Sequence, residues 1–433
     1  MIWILLSTIV LLLIFFLIVR GRKLDFSEPT FLLLASMLLS ILFVILNYEQ
    51  WNVESELTFL TVIVIIVSII FFIIGNFISK AIYASIPKKR LLLNTGYTKV
   101  LVNNLTCFMA VIFISFSAIY YLMQLRRSSG IGIGNFISFM TAIRPLLKEN
   151  LISIGFIATQ LFSISKAIAY IFTYIFMWNL IKAKIVQLKL LIIPLMYLLM
   201  SLLTSGRIYL IYYLIYAFSL YFLLSVRNRG YSVRTILKVI IRLFGGIFLV
   251  LIIFGLLANI VGRNTQHTIF EQISVYVGGP LISFAEFINN YDYHNRPAVF
   301  GEETLVGIYH LLNTLGVTTY QANRHLEFTQ FGNNWGNIYT ALRRYIYDYG
   351  IAVNMGIMTF IGLFYGFLHE VAVNEDKLSL KHIIYCMLLF PIPMMIIDET
   401  FMSTIISLNT VYDIFYIIII YKVITTAYRK KVG

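Results

Sequence analysis

Long uninterrupted apolar runs dominate this sequence of 433 residues and decide what it can fold into. Runs of about 18 residues or more recur along the chain, and each can cross a bilayer as an α-helix. Charged residues make up 12% of the chain, whereas a soluble domain carries about 25%. The strands of a membrane barrel alternate apolar and polar residues, whereas these runs are continuous. The sequence therefore predicts an all-α polytopic membrane protein.

The distribution of lysines sets the predicted orientation of the spans. Lysines predominate in turns such as the one holding Lys88 and Lys89, and the positive-inside rule places such turns in the cytoplasm. The N-terminus is therefore predicted outside and the C-terminus inside. The same rule accounts for the formal net charge of +14, so we expect no nucleic-acid partner. We predict about eleven spans, near residues 1–19, 30–47, 57–79, 100–123, 151–181, 190–203, 208–226, 239–261, 350–369, 383–402 and 404–421.

Two outer loops stand out in this topology. The first is 124–150, which is basic and glycine-rich. The second is 262–350, the one long polar segment of the chain, which we interpret as its working part. No polar linker divides the spans, so residues 1–433 are predicted to form a single integral membrane domain.

Arginines collect on the predicted outer side, against the lysine bias. Lys148 is the one lysine among them. A guanidinium binds phosphate or carboxylate in a planar, bidentate manner and keeps its charge. An arginine-lined outer cavity above a hydrophobic bundle therefore suits a lipid-linked phosphate or diphosphate. The outer arginines are Arg126, Arg127, Arg144, Arg207, Arg263, Arg296, Arg324, Arg343 and Arg344.

Structural ion pairs are the alternative account of these cations. Arg344 and Asp348 are four residues apart and suit a helical pair. Arg207 differs, because no acidic residue is near it in sequence, and we favour a functional role there. Lys166, deep in a span, is either functional or paired with an acid on another helix, and we favour pairing. The candidate partners are Asp413 and Asp398.

Candidate bases and sugar-contacting residues lie in the 262–350 loop. His310 and His325 are candidate general bases, with Glu302 and Glu303 as alternatives. Trp335, beside glycines and asparagines, is the best candidate to stack on a sugar, whereas an interfacial aromatic belt explains most other aromatic residues. No histidine pair has metal-ligand spacing, so no metal ion is expected.

Three short motifs, in this order, resemble those of Wzy-type oligosaccharide repeat-unit polymerases, the O-antigen polymerases. Thr204-Ser205-Gly206-Arg207, opening a span, resembles the family's Thr/Ser-Gly-Ser-Arg-like turn. The stretch from Tyr276 through Gly278-Gly279-Pro280 to Phe284 looks like its early outer-loop motif. Asn337-Ile338-Tyr339-Thr340-Ala341-Leu342, followed by Asp348-Tyr349-Gly350, is similar to its Asn-x-Tyr-Thr…Asp-Phe-Gly ending. Here the turn is Ser-Gly-Arg, and Tyr349 replaces the family's phenylalanine.

The resemblance implies an activity, a fold and a location. Such proteins join undecaprenyl-diphosphate-linked repeat units on the outer face of the cytoplasmic membrane. The growing glycan leaves its lipid diphosphate and is transferred to a hydroxyl of the incoming unit. The fold would resemble the GT-C-type membrane glycosyltransferases, without metal or cofactor. The implied partners are the lipid-linked oligosaccharides, membrane lipids, a chain-length regulator and a flippase.

The charges can be assigned roles in this reaction. Arg207 and Arg263 are expected to stabilise the departing diphosphate. Arg126 and Arg144 are expected to hold the second lipid diphosphate, while His310 or Glu303 activates the acceptor hydroxyl. The remaining candidate binding residues, which position the loop, the sugar or the phosphate, are Arg324, Arg343, Trp335, Asn337, Tyr339 and Asp348.

Three other functions compete with polymerisation. An O-antigen ligase shares the outer loop and arginines but uses a lipid A core as acceptor. A lipid-linked oligosaccharide flippase is expected to show an internal repeat and charges lining the bundle, whereas here the charges crowd one outer face. The third alternative is a noncatalytic assembly subunit that holds a chain-length regulator.

Overall fold

The computed structural model describes residues 1–20, 25–86, 99–148, 151–225, 268–292, 297–320, 322 and 325–429. Across these ranges, eight helices are long and apolar enough to cross a membrane. They coincide with eight of the predicted spans, so the prediction of an α-helical polytopic membrane protein is confirmed. Predicted spans 190–203 and 383–402 correspond to shorter helices, and 239–261 lies outside the described residues. The total of about eleven spans and their orientation stay predictions.

The described elements follow one another in a mainly helical order. The helices are α1 (Ile2–Arg20), α2 (Pro29–Leu46), α3 (Val53–Glu56), α4 (Phe59–Ser85), α5 (Asn104–Ser129), α6 (Phe136–Lys148), α7 (Phe156–Trp178), α8 (Ile192–Ser201), α9 (Ile208–Ser225), α10 (Ile269–Val277), α11 (Gly279–Asn289), α12 (Val306–Thr314), α13 (Ala341–Tyr349), α14 (Ile351–Val373), α15 (Leu380–Leu388), α16 (Pro391–Met394) and α17 (Leu408–Arg429). Two strands, β1 (Thr329–Phe331) and β2 (Asn334–Gly336), precede α13. Short 3₁₀ or π turns occupy Asn179–Ala183, Leu188–Leu191, Leu202–Thr204 and Phe401–Ile405.

The chain divides into two compact units. Unit 1 comprises Met1–Leu91, Phe270–Asn374 and Leu388–Thr410. Unit 2 comprises Leu92–Ile269, Glu375–Met387 and Val411–Gly433. Each unit is assembled from separate parts of the sequence. The prediction of one integral membrane domain stays a prediction.

Unit 1 is built on the close packing of α4 and α14. A Cβ atom added at Gly75 or at Gly362 would overlap a backbone carbonyl oxygen of the facing helix. The two backbones therefore touch directly, as small residues allow between membrane helices. Asn354 also donates to Ser68 Oγ at 2.8 Å. This helix pair gives unit 1 a rigid core.

Buried charges tie the turn before α2 to that core. His369 Nε2 on α14 lies 2.8 Å from Asp25 Oδ2. Glu28 pairs with Arg20 at 2.6 Å and also with Lys80 on α4. Both carboxylates are almost fully buried, where an unpaired charge would be costly. The pairs thus fix the turn in place.

The segment predicted as an outer loop at 262–350 is largely folded where it is described. It contains α10 to α13 and an antiparallel hairpin in which Gln330 faces Trp335. The hairpin is anchored by Thr329 Oγ1, which donates to Ser283 Oγ at 2.7 Å. The outer location predicted for 262–350 stays a prediction. The short helices and three-residue strands within it were not predicted, because they are too short for a periodic sequence signal.

A glycine makes the sharp join between α13 and α14. Gly350 has a φ of 86° and a ψ of 167°, a combination essentially restricted to glycine. It ends α13, and α14 begins at the next residue. The Asp348-Tyr349-Gly350 motif therefore marks the entry to a span, as its position in the sequence suggested.

The first predicted outer loop, 124–150, is also mainly helical. α5 continues to Ser129 and stops at Gly130, whose φ is 69°. α6 follows and buries Phe139, Met140 and Ile143. These three residues have the spacing of one face of a helix.

Tyrosines fill the contacts between the helices of unit 2. The Tyr216 hydroxyl on α9 donates to Tyr170 O on α7 at 2.7 Å, and the two rings stack with centroids 4.2 Å apart. Tyr213 Oη lies 2.6 Å from Thr173 Oγ1. Lys166 Nζ, on the same helix, lies 2.6 Å from Asp413 Oδ2 on α17. This ion pair confirms the predicted pairing of Lys166.

Candidate functional site

Arg207 ends a tight turn between α8 and α9. The short segment Leu202–Thr204 leads to Ser205, whose φ of 58° lies in the left-handed region that non-glycine residues rarely adopt. The Thr204 hydroxyl donates to a carbonyl three residues earlier at 2.8 Å and accepts from Gly206 N at 3.4 Å. These local bonds hold the turn and place Arg207 at the N-terminus of α9.

A second arginine lies near the Arg207 guanidinium. Arg207 is 5% exposed, and Arg144 on α6 is half-buried. Burial, and next the positive charge of Arg144, lowers the pKa of Arg207 to about 10. Burial also lowers the pKa of Arg144. Arg207 is still charged at neutral pH, and it lies at the N-terminus of α9, which is the positive end of the helix dipole.

Packing against α5 brings these parts of unit 2 together. Both α6 and the turn at 202–204 contact α5. Tyr209, in the first turn of α9, has its ring centroid 5.0 Å from that of Phe162 on α7. The Phe162 ring in turn lies 5.9 Å from that of Tyr121 on α5. Aromatic rings from three helices therefore lie next to the Arg207 turn.

Unit 2 is poor in acidic residues that could neutralise these arginines. The chain has 19 aspartates and glutamates, but the described part of unit 2 contains only Asp413, Glu375 and Asp376. Asp413 pairs with Lys166, and Glu375 pairs with Lys381 at 2.9 Å. The described carboxylates of Asp413 and Glu375 are thus already engaged by lysines.

In unit 1, by contrast, Arg343 is neutralised by two carboxylates. Its Nη1 binds both oxygens of Glu303, and its Nη2 lies 2.6 Å from Glu327 Oε1. The guanidinium also lies 4.8 Å from the ring centroid of Tyr339. Burial alone would lower the pKa of Arg343, but the two carboxylates raise it. This geometry favours a positioning role for Arg343, and a Glu303 carboxylate bound in this way is poorly placed to accept a proton.

Asp348 fixes the turn that carries Glu303. Its carboxylate accepts from the backbone N–H groups of Glu303 and Thr304, and from Thr304 Oγ1 at 2.7 Å. Burial raises the pKa of Asp348. Arg344 donates to Asp398 Oδ1 at 2.9 Å and to Glu303 O at 3.3 Å. The sequence suggested Asp348 as the ion-pair partner of Arg344. The structure instead pairs Arg344 with Asp398, which is 54 residues away in sequence.

The remaining predicted sugar contacts of unit 1 differ in exposure. Trp335 is 59% exposed on β2. Asn337 is half-buried. Tyr339 is buried, and its hydroxyl donates to Glu327 O at 3.4 Å. Trp335 is thus the one of these three whose ring is open to a large ligand.

The other predicted site residues have no described contact with the Arg207 turn of unit 2 or with the Arg343–Glu303–Asp348 network of unit 1. His310 is exposed on α12 of unit 1. Arg126 is exposed in the last turn of α5 in unit 2. Arg263 and Arg324 lie outside the described residues. The roles predicted for these four residues stay predictions.

Comparison of the chain with protein-family models, with curated proteins and with solved structures found no match. The resemblance to Wzy-type polymerases therefore rests on the sequence motifs. Function has to be argued from the chemistry of the site.

Proposed function

We propose that this protein is a membrane glycosyltransferase that joins undecaprenyl-diphosphate-linked oligosaccharide repeat units into a polysaccharide. In this proposal the membrane is the cytoplasmic membrane, the N-terminus and the active site face outward, and no metal takes part. The growing glycan is the donor and the incoming lipid-linked unit is the acceptor.

One observation carries the proposal: the Arg207 guanidinium is buried in the turn before α9, where burial and the charge of Arg144 both disfavour its charged form. A diphosphate with several negative charges would stabilise that charged form. Guanidinium groups also match the geometry of phosphate oxygens. The effect of the Arg144 charge on Arg207 supports assigning both to one diphosphate, rather than dividing them between two as the sequence suggested.

The site chemistry supports a simple transfer mechanism. An acceptor hydroxyl attacks the anomeric carbon of the donor glycan, and the bond from that carbon to the diphosphate breaks. The electron pair stays on the departing diphosphate oxygen. Arg207 and Arg144 stabilise the charge that develops there, because they are fixed before the reaction and lie in a partly dehydrated place.

Unit 1 would contribute glycan recognition in this scheme. Its buried network of Arg343, Glu303 and Asp348 holds the turn at 301–304 against α13, and the hairpin presents Trp335 to solvent. An exposed indole offers a flat apolar face to the C–H face of a sugar. This division gives the buried unit 1 arginines a supporting role and leaves diphosphate chemistry to unit 2.

A cell assay tests the proposal and separates it from its rivals. We expect Arg207→Ala and Arg144→Ala to lose long polymer while the protein is still inserted in the membrane. Loss of polymerase leaves one repeat unit on each surface lipid, whereas loss of a ligase or flippase leaves no unit at the surface. Arg127→Ala is the matched control, since Arg127 is exposed in the last turn of α5. Normal polymer from Arg207→Ala would remove the basis of the assignment.

A further inference from the structure

The Lys166–Asp413 ion pair leaves one carboxylate oxygen available inside unit 2. Lys166 Nζ binds Asp413 Oδ2 at 2.6 Å and lies 5.7 Å from the ring centroid of Tyr170. Asp413 Oδ1 is buried and has no hydrogen-bond partner among the described residues. Lys166 is ten residues into α7, about 15 Å along the helix axis. The open oxygen is therefore well inside the bundle.

A tyrosine hydroxyl in the same region is also without a partner. Tyr197, on α8, is fully buried, and its hydroxyl has no hydrogen bond within the described part of the chain. Lys166, which binds Asp413, lies over the Tyr170 ring, with its Nζ 5.7 Å from the ring centroid. The Tyr170 and Tyr197 ring centroids are 6.4 Å apart. Asp413 Oδ1 and the Tyr197 hydroxyl thus belong to one polar spot within an aromatic cluster.

Two unsatisfied buried polar atoms point to a ligand that can hydrogen-bond to both. Leaving such atoms without partners costs about 1–3 kcal/mol each, and most buried polar atoms in native proteins are satisfied. A sugar carries several hydroxyl groups on one ring, so different hydroxyls of a single residue can donate to Asp413 and accept from Tyr197.

The aromatic cluster connects this spot to the Arg207 turn. The Tyr197 ring centroid is 5.7 Å from that of Phe162, which lies 5.0 Å from that of Tyr209. Tyr209 is two residues beyond Arg207 in the chain. Phe162 and Lys166 are one turn apart on α7, about 6 Å along its axis. The ion pair is therefore connected to the Arg207 turn through Phe162 and Tyr209.

We infer that Asp413 and Tyr197 form the acceptor-sugar site and that Asp413 is the general base of the transfer reaction. This inference rests on the proposed function. The acceptor oxygen forms a bond to the donor anomeric carbon while its proton passes to Asp413 Oδ1. The bond from that carbon to the diphosphate breaks, and its electron pair leaves with the diphosphate. Asp413 then releases the proton to water, and Lys166 holds the carboxylate in place throughout.

The carboxylates elsewhere are less suited to this role. Glu303 belongs to unit 1 and has both oxygens bound to Arg343. Of the described acids in unit 2, Glu375 is engaged by Lys381 in the turn before α15. Of Glu303, Glu375 and Asp413, only Asp413 is buried, has a carboxylate oxygen without a hydrogen-bond partner among the described residues, and lies next to aromatic side chains.

Tyr197→Phe gives the cleanest test, because it removes one hydroxyl and nothing else. Removing a buried polar atom without a partner should leave the protein as stable as wild type or more so. If that hydroxyl binds the acceptor sugar, KM for the acceptor unit should rise about tenfold. Tyr213→Phe is the matched control: it loses the bond to Thr173, so it should be less stable but keep its acceptor KM. An unchanged acceptor KM in Tyr197→Phe would overturn the acceptor site.

A double variant tests the base separately from the ion pair. Lys166→Met with Asp413→Leu removes both charges together, and such replacements are often neutral for stability. Loss of a general base should lower kcat at least about a hundredfold, whereas a purely structural pair predicts near-normal kcat in the folded double variant. If the double variant does not fold, Asp413→Asn, which keeps the side-chain shape but cannot accept the proton, is assayed instead, and near-normal kcat in that variant would overturn the assignment of the base. All variants are assayed beside active wild-type protein, and wild-type inactivity would instead count against the proposed function itself.

Discussion

Arg207→Met and Arg343→Met remove the same charged group, and we expect them to change stability in opposite directions. Burial and the nearby Arg144 lower the pKa of Arg207 to about 10, which corresponds to about 3 kcal/mol of unfavourable environment for the charge. Methionine keeps an extended side chain without the charge. Hydrogen bonds lost with the guanidinium offset part of the gain, at about 1 kcal/mol each. We expect the free energy of unfolding to rise by about 1–2 kcal/mol.

The same substitution at Arg343 acts on a neutralised cation. Glu303 is buried and loses the guanidinium that binds both its oxygens. Breaking a buried ion pair from one side costs about 3–5 kcal/mol, because the other charge is left uncompensated. Adding Glu303→Leu to Arg343→Met should restore most of this loss, since both charges are then removed.

Reversible unfolding in mixed micelles of mild detergent and dodecyl sulfate, followed by tryptophan fluorescence, measures both effects. Arg127→Met is the control, because this exposed arginine should change stability by less than about 0.5 kcal/mol. Polymerisation measured on the same preparations should fall for Arg207→Met despite its higher stability. If Arg207→Met is destabilised as strongly as Arg343→Met, Arg207 is an ordinary structural arginine, and the argument from its electrostatic cost is wrong.

Three further substitutions probe the fold and the glycan surface. Gly362→Ala should lower the free energy of unfolding by about 1–3 kcal/mol, because its Cβ would overlap Phe72 O. Gly356→Ala on the same helix meets open space and should be neutral or stabilising. Unfolding in mixed micelles compares the two variants, and equal effects would contradict the close contact of α4 and α14. Asp348→Asn should lower the free energy of unfolding by about 1–3 kcal/mol, since an amide cannot accept from Thr304 and from the backbone N–H groups as the carboxylate does. Stability like that of wild type would argue against the role of Asp348 in holding the 301–304 turn. Trp335→Ala should raise the glycan KM about fivefold without changing stability, because about 1 kcal/mol of ring contact is lost. The same change of KM in Gln330→Ala, directly across the hairpin, would show that the effect is not specific to the indole.

The sequence was sufficient for features that local pattern or composition determines. Apolar run length located eight spans, since hydropathy and helix length act within a single segment. The pairing of Lys166 was predictable because an isolated charge in the membrane is costly, so a buried lysine needs an acidic partner on another helix or a functional ligand. The turn ending in Arg207 was recognisable because its residues are contiguous.

Contacts between distant residues could not be obtained in the same way. The pair Arg343–Glu303 spans 40 residues, and nothing in the local sequence of either residue selects the other. Arg144 was predicted in the outer loop 124–150, although the spacing of Phe139, Met140 and Ile143 is typical of a helix. The charge of Arg144 on α6 acts on Arg207, which no local sequence pattern indicated.

The most direct test of the central claim uses purified wild-type protein in detergent with undecaprenyl-diphosphate-linked repeat units and EDTA. The products are separated on a gel, with the Arg207→Ala and Arg127→Ala variants run alongside. The account predicts a ladder of longer lipid-linked glycans from wild type and from Arg127→Ala, and single units from Arg207→Ala. Well-folded wild-type protein that binds the cognate substrate but yields no ladder would contradict polymerisation, and would leave the arginines as the binding site of a ligase or flippase.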